Sequence, residues 1–109
     1  MILAFIEMTV FPAKRKELMQ TIHALIPKIR QEKGCIKCSA CQDIENENTF
    51  HLIEEWKSQA DFDNYLSSDI FDVLLGTKNF MSEPFKINFK TVSPTSIIEA
   101  VEQARGNKC

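Results

Sequence analysis

Residues 2–11, ILAFIEMTVF, form a nearly unbroken apolar run rich in Ile, Phe and Val. Such a run suits a strand buried on both faces. Pro12 stands where a helix can begin, because the first helical position needs no N–H. From 13 to 33, Leu18, Met19, Ile22, Leu25, Ile26 and Ile29 recur at helical spacing, opposite Lys16, Glu17, Gln20, Lys28 and Gln31. This predicts an amphipathic helix of five to six turns, disturbed at Pro27 and capped by Gly34. Residues 35–44 and 49–56 flank the polar turn ENEN and read as a hairpin. Ser58 with Asp61 marks a helix start. Phe62, Tyr65, Leu66, Ile70, Phe71, Val73 and Leu74 then predict two short helices. Residues 84–92, PFKINFKTV, alternate Phe85, Ile87 and Phe89 with Lys86, Asn88 and Lys90, the pattern of a half-exposed strand. Ser96 and Glu99 form a capping box ahead of Ile97, Ile98, Val101 and Ala104, which predicts a C-terminal helix.

The order of elements is strand, helix, strand, strand, helix, strand, with one added helix. That is an α+β, ferredoxin-like βαββαβ arrangement, a four-stranded antiparallel sheet with helices on one face. Its first strand shows no alternation. The second face of the sheet is therefore expected to be covered as well, most simply by another copy of the chain. At 109 residues the chain fits one domain, and extra burial through self-association would help it. The expected division is a sheet-and-helix domain over 1–92 and a helical extension over 93–109.

Composition removes several classes. A formal charge of −2 favours neither nucleic acid nor anionic lipid. The apolar N-terminus lacks a basic segment and contains Glu7, so it is a poor signal peptide. No run approaches the ~18 apolar residues of a membrane span. The expected location is the cytoplasm, where thiols stay reduced.

The stretch GCIKCSACQDI carries Cys35, Cys38 and Cys41. In a regular strand, Cys35 and Cys41 share a face about 20 Å apart and Cys38 takes the other. Ligands of one ion must converge to roughly 2.3 Å. A redox C-x-x-C also prefers a helix N-terminus, whereas this one follows a helix C-terminus. The cysteines are therefore read as small apolar strand residues, with Cys109 a free terminal thiol and no metal bound.

The segment IEEWKSQADFDNYLSSDIF, with Glu54, Trp56, Ser58, Phe62, Leu66, Ser67 and Phe71 in order, resembles the antibiotic biosynthesis monooxygenase family. EKGCIKCSACQD is similar to the family's second strand, and FPAKRKEL to the loop into its first helix. The resemblance spans about residues 1–92. It implies a ferredoxin-like protomer and a homodimeric α/β barrel. It also implies monooxygenation of small aromatic or quinol-like compounds without a cofactor. Many members resembling the quinol-oxidising branch carry a histidine where this chain has Tyr65 and a second one near Ile70, and neither is present here. Tyr65, Leu75 and Glu7 stand where haem-degrading relatives carry Trp, His and Asn, so haem degradation is not implied.

Such chemistry needs a base, an apolar pocket and a substrate whose anion passes an electron to dioxygen. Glu54 shares a strand face with Phe50, Leu52 and Trp56, which would raise its pKa toward a base's range. It is the candidate base; pairing with Lys or Arg, or a place at a barrel rim, is the other reading. Phe5, Glu7, His51, Phe62 and Tyr65 are the candidate pocket residues. His51 also fits an exposed strand position, and Tyr65 also fits core packing. A non-catalytic, homodimeric small-ligand-binding module is the alternative function, favoured by the absent histidines.

Overall fold

The computed structural model describes residues 1–92 and 102–106. The elements are β1 (Ile2–Thr9), α1 (Arg15–Arg30), β2 (Cys35–Gln42), β3 (Thr49–Trp56), α2 (Gln59–Leu66), α3 (Asp69–Leu75) and β4 (Lys86–Thr91). Short 3₁₀ turns precede α1 and follow α3. The strands form one sheet in the order β2-β3-β1-β4, antiparallel throughout. The α+β, ferredoxin-like arrangement read from the sequence is the one observed.

β1 has a definite inner face. Ile2, Ala4, Ile6 and Met8 are buried under the helices, while Leu3, Phe5, Glu7 and Thr9 point away from them. Phe5 is 37% exposed in the single chain. Pairing of β1 with β3 aligns Ile2 with Trp56, Ala4 with Glu54, Ile6 with Leu52 and Met8 with Phe50. The even-numbered residues of β3 therefore also face the helices. In β4, Ile87 and Phe89 take this face but stay 40% and 49% exposed, because β4 is an edge strand. Phe89 nevertheless meets Phe62 of α2 at 5.2 Å between ring centroids.

α1 buries Leu18, Ile22, Leu25 and Ile29, a stripe at the helical repeat. Met19, expected in that stripe, is 47% exposed at its edge. Helix α1 continues through Pro27, which is exposed. Arg30 at its C-terminal end donates from Nε and Nη2 to the Cys38 carbonyl, at 3.1 and 2.9 Å, and so ties the helix to β2. Helix α2 starts as expected at Ser58, whose Oγ accepts from the Asp61 N–H. Ser68 caps α3 in the same way. Residues 102–106 are helical and exposed. The start of the expected C-terminal helix, with Ser96, Glu99 and Val101, lies outside the described residues, as does Cys109.

One departure changes the reading of the cysteines. The β2–β3 register shifts between Cys35 and Lys37, a bulge that leaves Ile36 without a partner. A bulge inserts one residue and reverses the alternation beyond it. Cys35 lies opposite Trp56 and Cys38 opposite Glu54, so both take the helix face. Cys41 lies opposite His51 on the outer face. The expectation that Cys35 and Cys41 share a face is thus corrected.

Gly34 joins α1 to β2 with φ of +85°. A Cβ at that position would run into the Asp61 side chain at the start of α2. Gly34→Ala combines left-handed strain of about 1–2 kcal/mol with that clash. It should lower the unfolding free energy by at least that much, read as a lower urea midpoint, and an unchanged midpoint would show that the turn relaxes freely.

Candidate functional site

The centre of the helix face holds an acid. Glu54 is fully buried, with Ala4 beside it on β1 and Cys38 on β2. These small neighbours leave space for the large rings that cover it. Trp56, two residues along the same strand, donates from Nε1 to Glu54 Oε1 at 3.1 Å. Tyr65, brought over the sheet by α2, donates its hydroxyl to Oε2 at 2.7 Å. The Trp56 and Tyr65 rings stack at 4.5 Å, and Phe71 meets Tyr65 edge-on at 5.2 Å. Phe62 completes the wall against Trp56 at 6.3 Å.

The electrostatics follow from this enclosure. Removal from water pushes the Glu54 pKa up, and the Tyr65 and Trp56 hydrogen bonds partly oppose it. No Lys or Arg carries this carboxylate among the described residues; the ion-pair reading is replaced by two neutral donors. Tyr65 is held protonated, first by burial and then by the neighbouring carboxylate. Burial, with Glu54 close by, pushes the Cys38 thiol to about 12, and Cys35 moves in the same direction. Both are therefore poor nucleophiles and act as the small filler expected of them.

The six residues proposed from the sequence do not form one pocket. Glu54, Phe62 and Tyr65 lie together beneath the helices. Phe5, Glu7 and His51 lie on the other side of the sheet, because odd-numbered positions of β1 and β3 face outward. There a polar chain crosses the strands. Lys86 Nζ is 3.3 Å from Glu7 Oε2, Glu7 Oε1 is 4.0 Å from His51 Nδ1, and His51 Nε2 is 3.4 Å from Asp43 Oδ2. Asp43 has a lowered pKa, first because it accepts from the Glu45 N–H and then because of His51. A groove of about 250 Å³ lies elsewhere, between α1 and β2, lined by Met19, Ile22, Ile26, Ala40 and Phe50, among others.

Sequence reasoning missed Trp56 as a donor to the acid. The signal was present in the i, i+2 spacing of Glu54 and Trp56, which puts both on one face. It also missed that the bulge turns Cys35 and Cys38 toward this cluster, for which the sequence carries no clear mark.

A four-stranded antiparallel sheet with a buried acid under aromatic side chains of the covering helices defines a ferredoxin-like α+β protein with an enclosed polar centre. Residues 1–74 match the family model described as "antibiotic biosynthesis monooxygenase", and the chain belongs to that family. A conserved protein from Methanosarcina mazei Go1 has a similar structure, with a TM-score of 0.79 and 27% identity over 84% of this chain and 92% of that one. A solved antibiotic biosynthesis monooxygenase shares the fold with a TM-score of 0.79 and 19% identity, over 86% of this chain and all of that one. Among sequences, sll1783 of Synechocystis is 24% identical over 88 residues, 80% of this chain. YcnE of Bacillus subtilis is 33% identical over 49 residues, 45% of this chain. The matched regions span 60% and 52% of those two relatives.

The raised pKa of Glu54 has a consequence for stability. An acid that binds its proton more tightly when folded adds stability that is full below its unfolded pKa and is lost as pH rises through the folded one. Wild type should lose stability upward from about pH 4.5, the ordinary value for Glu54, relative to Glu54→Gln, which cannot titrate. Glu54→Leu leaves two buried donors unpaired, at about 1–3 kcal/mol each. Denaturant midpoints of the three proteins between pH 4 and 8 check both expectations.

Proposed function

We propose that the chain is a cofactor-independent monooxygenase for a small aromatic or quinol-like compound, working in the cytoplasm as a homodimer. The observation that carries this reading is the buried Glu54 carboxylate, with no cation paired to it among the described residues and enclosed by Trp56, Phe62 and Tyr65. An acid in such surroundings has the raised proton affinity of a general base, and aromatic walls suit a flat ring. Glu54 takes the acidic proton of the substrate, and the resulting anion passes an electron to dioxygen. The enclosure keeps water from competing. Substrate reaches Glu54 by displacing Tyr65 and Phe62, which arrive on the eight-residue helix α2. Family membership supports the class of reaction.

A second reading, a non-catalytic dimer that binds a small ligand, draws on a specific observation. Both Glu54 oxygens already accept hydrogen bonds, and the rings over them are almost fully buried. An oxygen electrode separates the two. With hydroquinones and anthrones, and without added flavin or metal, uptake should exceed autoxidation. Glu54→Gln should reduce it by roughly 10²–10⁴-fold, the usual share of a general base. Uptake no faster than autoxidation across the panel favours the binding module. Uptake that survives Glu54→Gln and falls with His51→Ala moves the chemistry to the outer face.

The dimer reading draws on the outer sheet face, where Leu3, Phe5 and Ile53 form an apolar centre on adjacent strands. A second copy laid on it would close a barrel and bury these side chains. Light scattering at micromolar concentration should give about twice the 12.5 kDa chain mass. A monomer under those conditions overturns the barrel.

A further inference from the structure

The chain has one tryptophan and one tyrosine, and the fold stacks them on each other, tilted by 26°. The polar hydrogens of both rings end on the same carboxylate, one on each oxygen. All three side chains are at most 1% exposed. Indole and phenol are the most readily oxidised aromatic side chains. A phenol that loses only an electron becomes a charged, strongly acidic radical cation, which a buried site disfavours. Loss of the proton in the same step removes that cost, provided an acceptor lies within hydrogen-bond reach. Glu54 Oε2, 2.7 Å from the Tyr65 oxygen, is such an acceptor.

We propose that Trp56, Tyr65 and Glu54 form a redox-active unit in which Tyr65 is oxidised by one electron while its proton moves to Glu54. The electron leaves through the stacked Trp56 ring to a one-electron oxidant at the surface, of the organic peroxyl class, which becomes a hydroperoxide anion. The Tyr65 O–H bond breaks, and a new O–H bond forms on Glu54 Oε2. A neutral tyrosyl radical remains, shielded from solvent. A hydroquinone-class reductant returns one electron, the Glu54 proton goes back to the phenolate oxygen, and the unit is reset. The enclosure of the acid strengthens this: burial raises the proton affinity of Glu54, and the 2.7 Å hydrogen bond gives the proton a direct path to it. The unit operates without substrate, so it stands apart from the oxygenation reading above.

The test mixes reduced, substrate-free protein with hexachloroiridate(IV) and follows the electron paramagnetic resonance signal after rapid freezing. With a single tyrosine in the chain, assignment is direct. A tyrosyl signal should form in wild type, more slowly in D2O than in H2O. It should vanish in Tyr65→Phe. In Glu54→Gln it should form roughly 10²-fold more slowly, the low end of what a positioned proton acceptor contributes. Far-UV circular dichroism establishes that the variants fold, and the isotope effect on wild type decides the matter should either fail to. Absence of a tyrosyl signal from folded wild type, or equal rates in H2O and D2O, would overturn the proposal. So would an unchanged rate in folded Glu54→Gln.

Discussion

The helix side of this protein is organised around one buried carboxylate. An acid sealed from water is costly unless its oxygens find donors. Glu54 finds both, in Trp56 from its own strand and Tyr65 from the helix laid over it. The Tyr65 bond links the sheet to α2 at a fixed position, and the Trp56 bond holds the acid within β3. They also explain why the largest rings of the chain collect there. Trp56 and Tyr65 cannot be exchanged for aliphatic residues of similar volume without leaving lone pairs of the acid unmet. Small residues on the flanking strands, Ala4 and Cys38, keep the space open for the rings.

The bulge at Ile36 and the turn at Gly34 serve the same centre from the edge of the sheet. Gly34 takes a left-handed conformation that delivers the chain from α1 into β2 against the start of α2. The bulge then turns Cys35 and Cys38 inward together. Their thiols are held in the neutral form by burial and by the acid beside them, so they fill space without adding charge. Arg30 reinforces the edge through the Cys38 carbonyl and leaves Glu54 to its neutral partners.

The two faces of the sheet are chemically unlike. Under the helices, Glu54 is the one buried charged side chain among the described residues. On the outer face, Lys86, Glu7, His51 and Asp43 form a chain of polar side chains across three strands and the β2–β3 turn, beside apolar Leu3, Phe5 and Ile53.

Much of the fold was legible in the sequence. The apolar stripe of α1, the ENEN turn, the Ser58 cap and the third strand over 49–56 are local signals, set by periodicity and by backbone groups that need partners. Alternation also placed Glu54 among Phe50, Leu52 and Trp56. It left undecided what would satisfy the acid, because Tyr65 comes from another element eleven residues later and only packing selects it over a lysine or arginine. Pairing Phe5 with Phe62 and Tyr65 failed for a related reason. An apolar run such as ILAFIEMTVF carries no alternation, so only its register against β3 decides which residues face the helices. The bulge is the clearest case: it reverses the alternation of β2, but CIKCSACQ has too little apolar–polar contrast to display the reversal, and it determines which cysteines meet the acid. Periodicity thus determined the elements and their order. Register, bulge and side-chain satisfaction depend on contacts distant in the chain, and only the tertiary structure decided them.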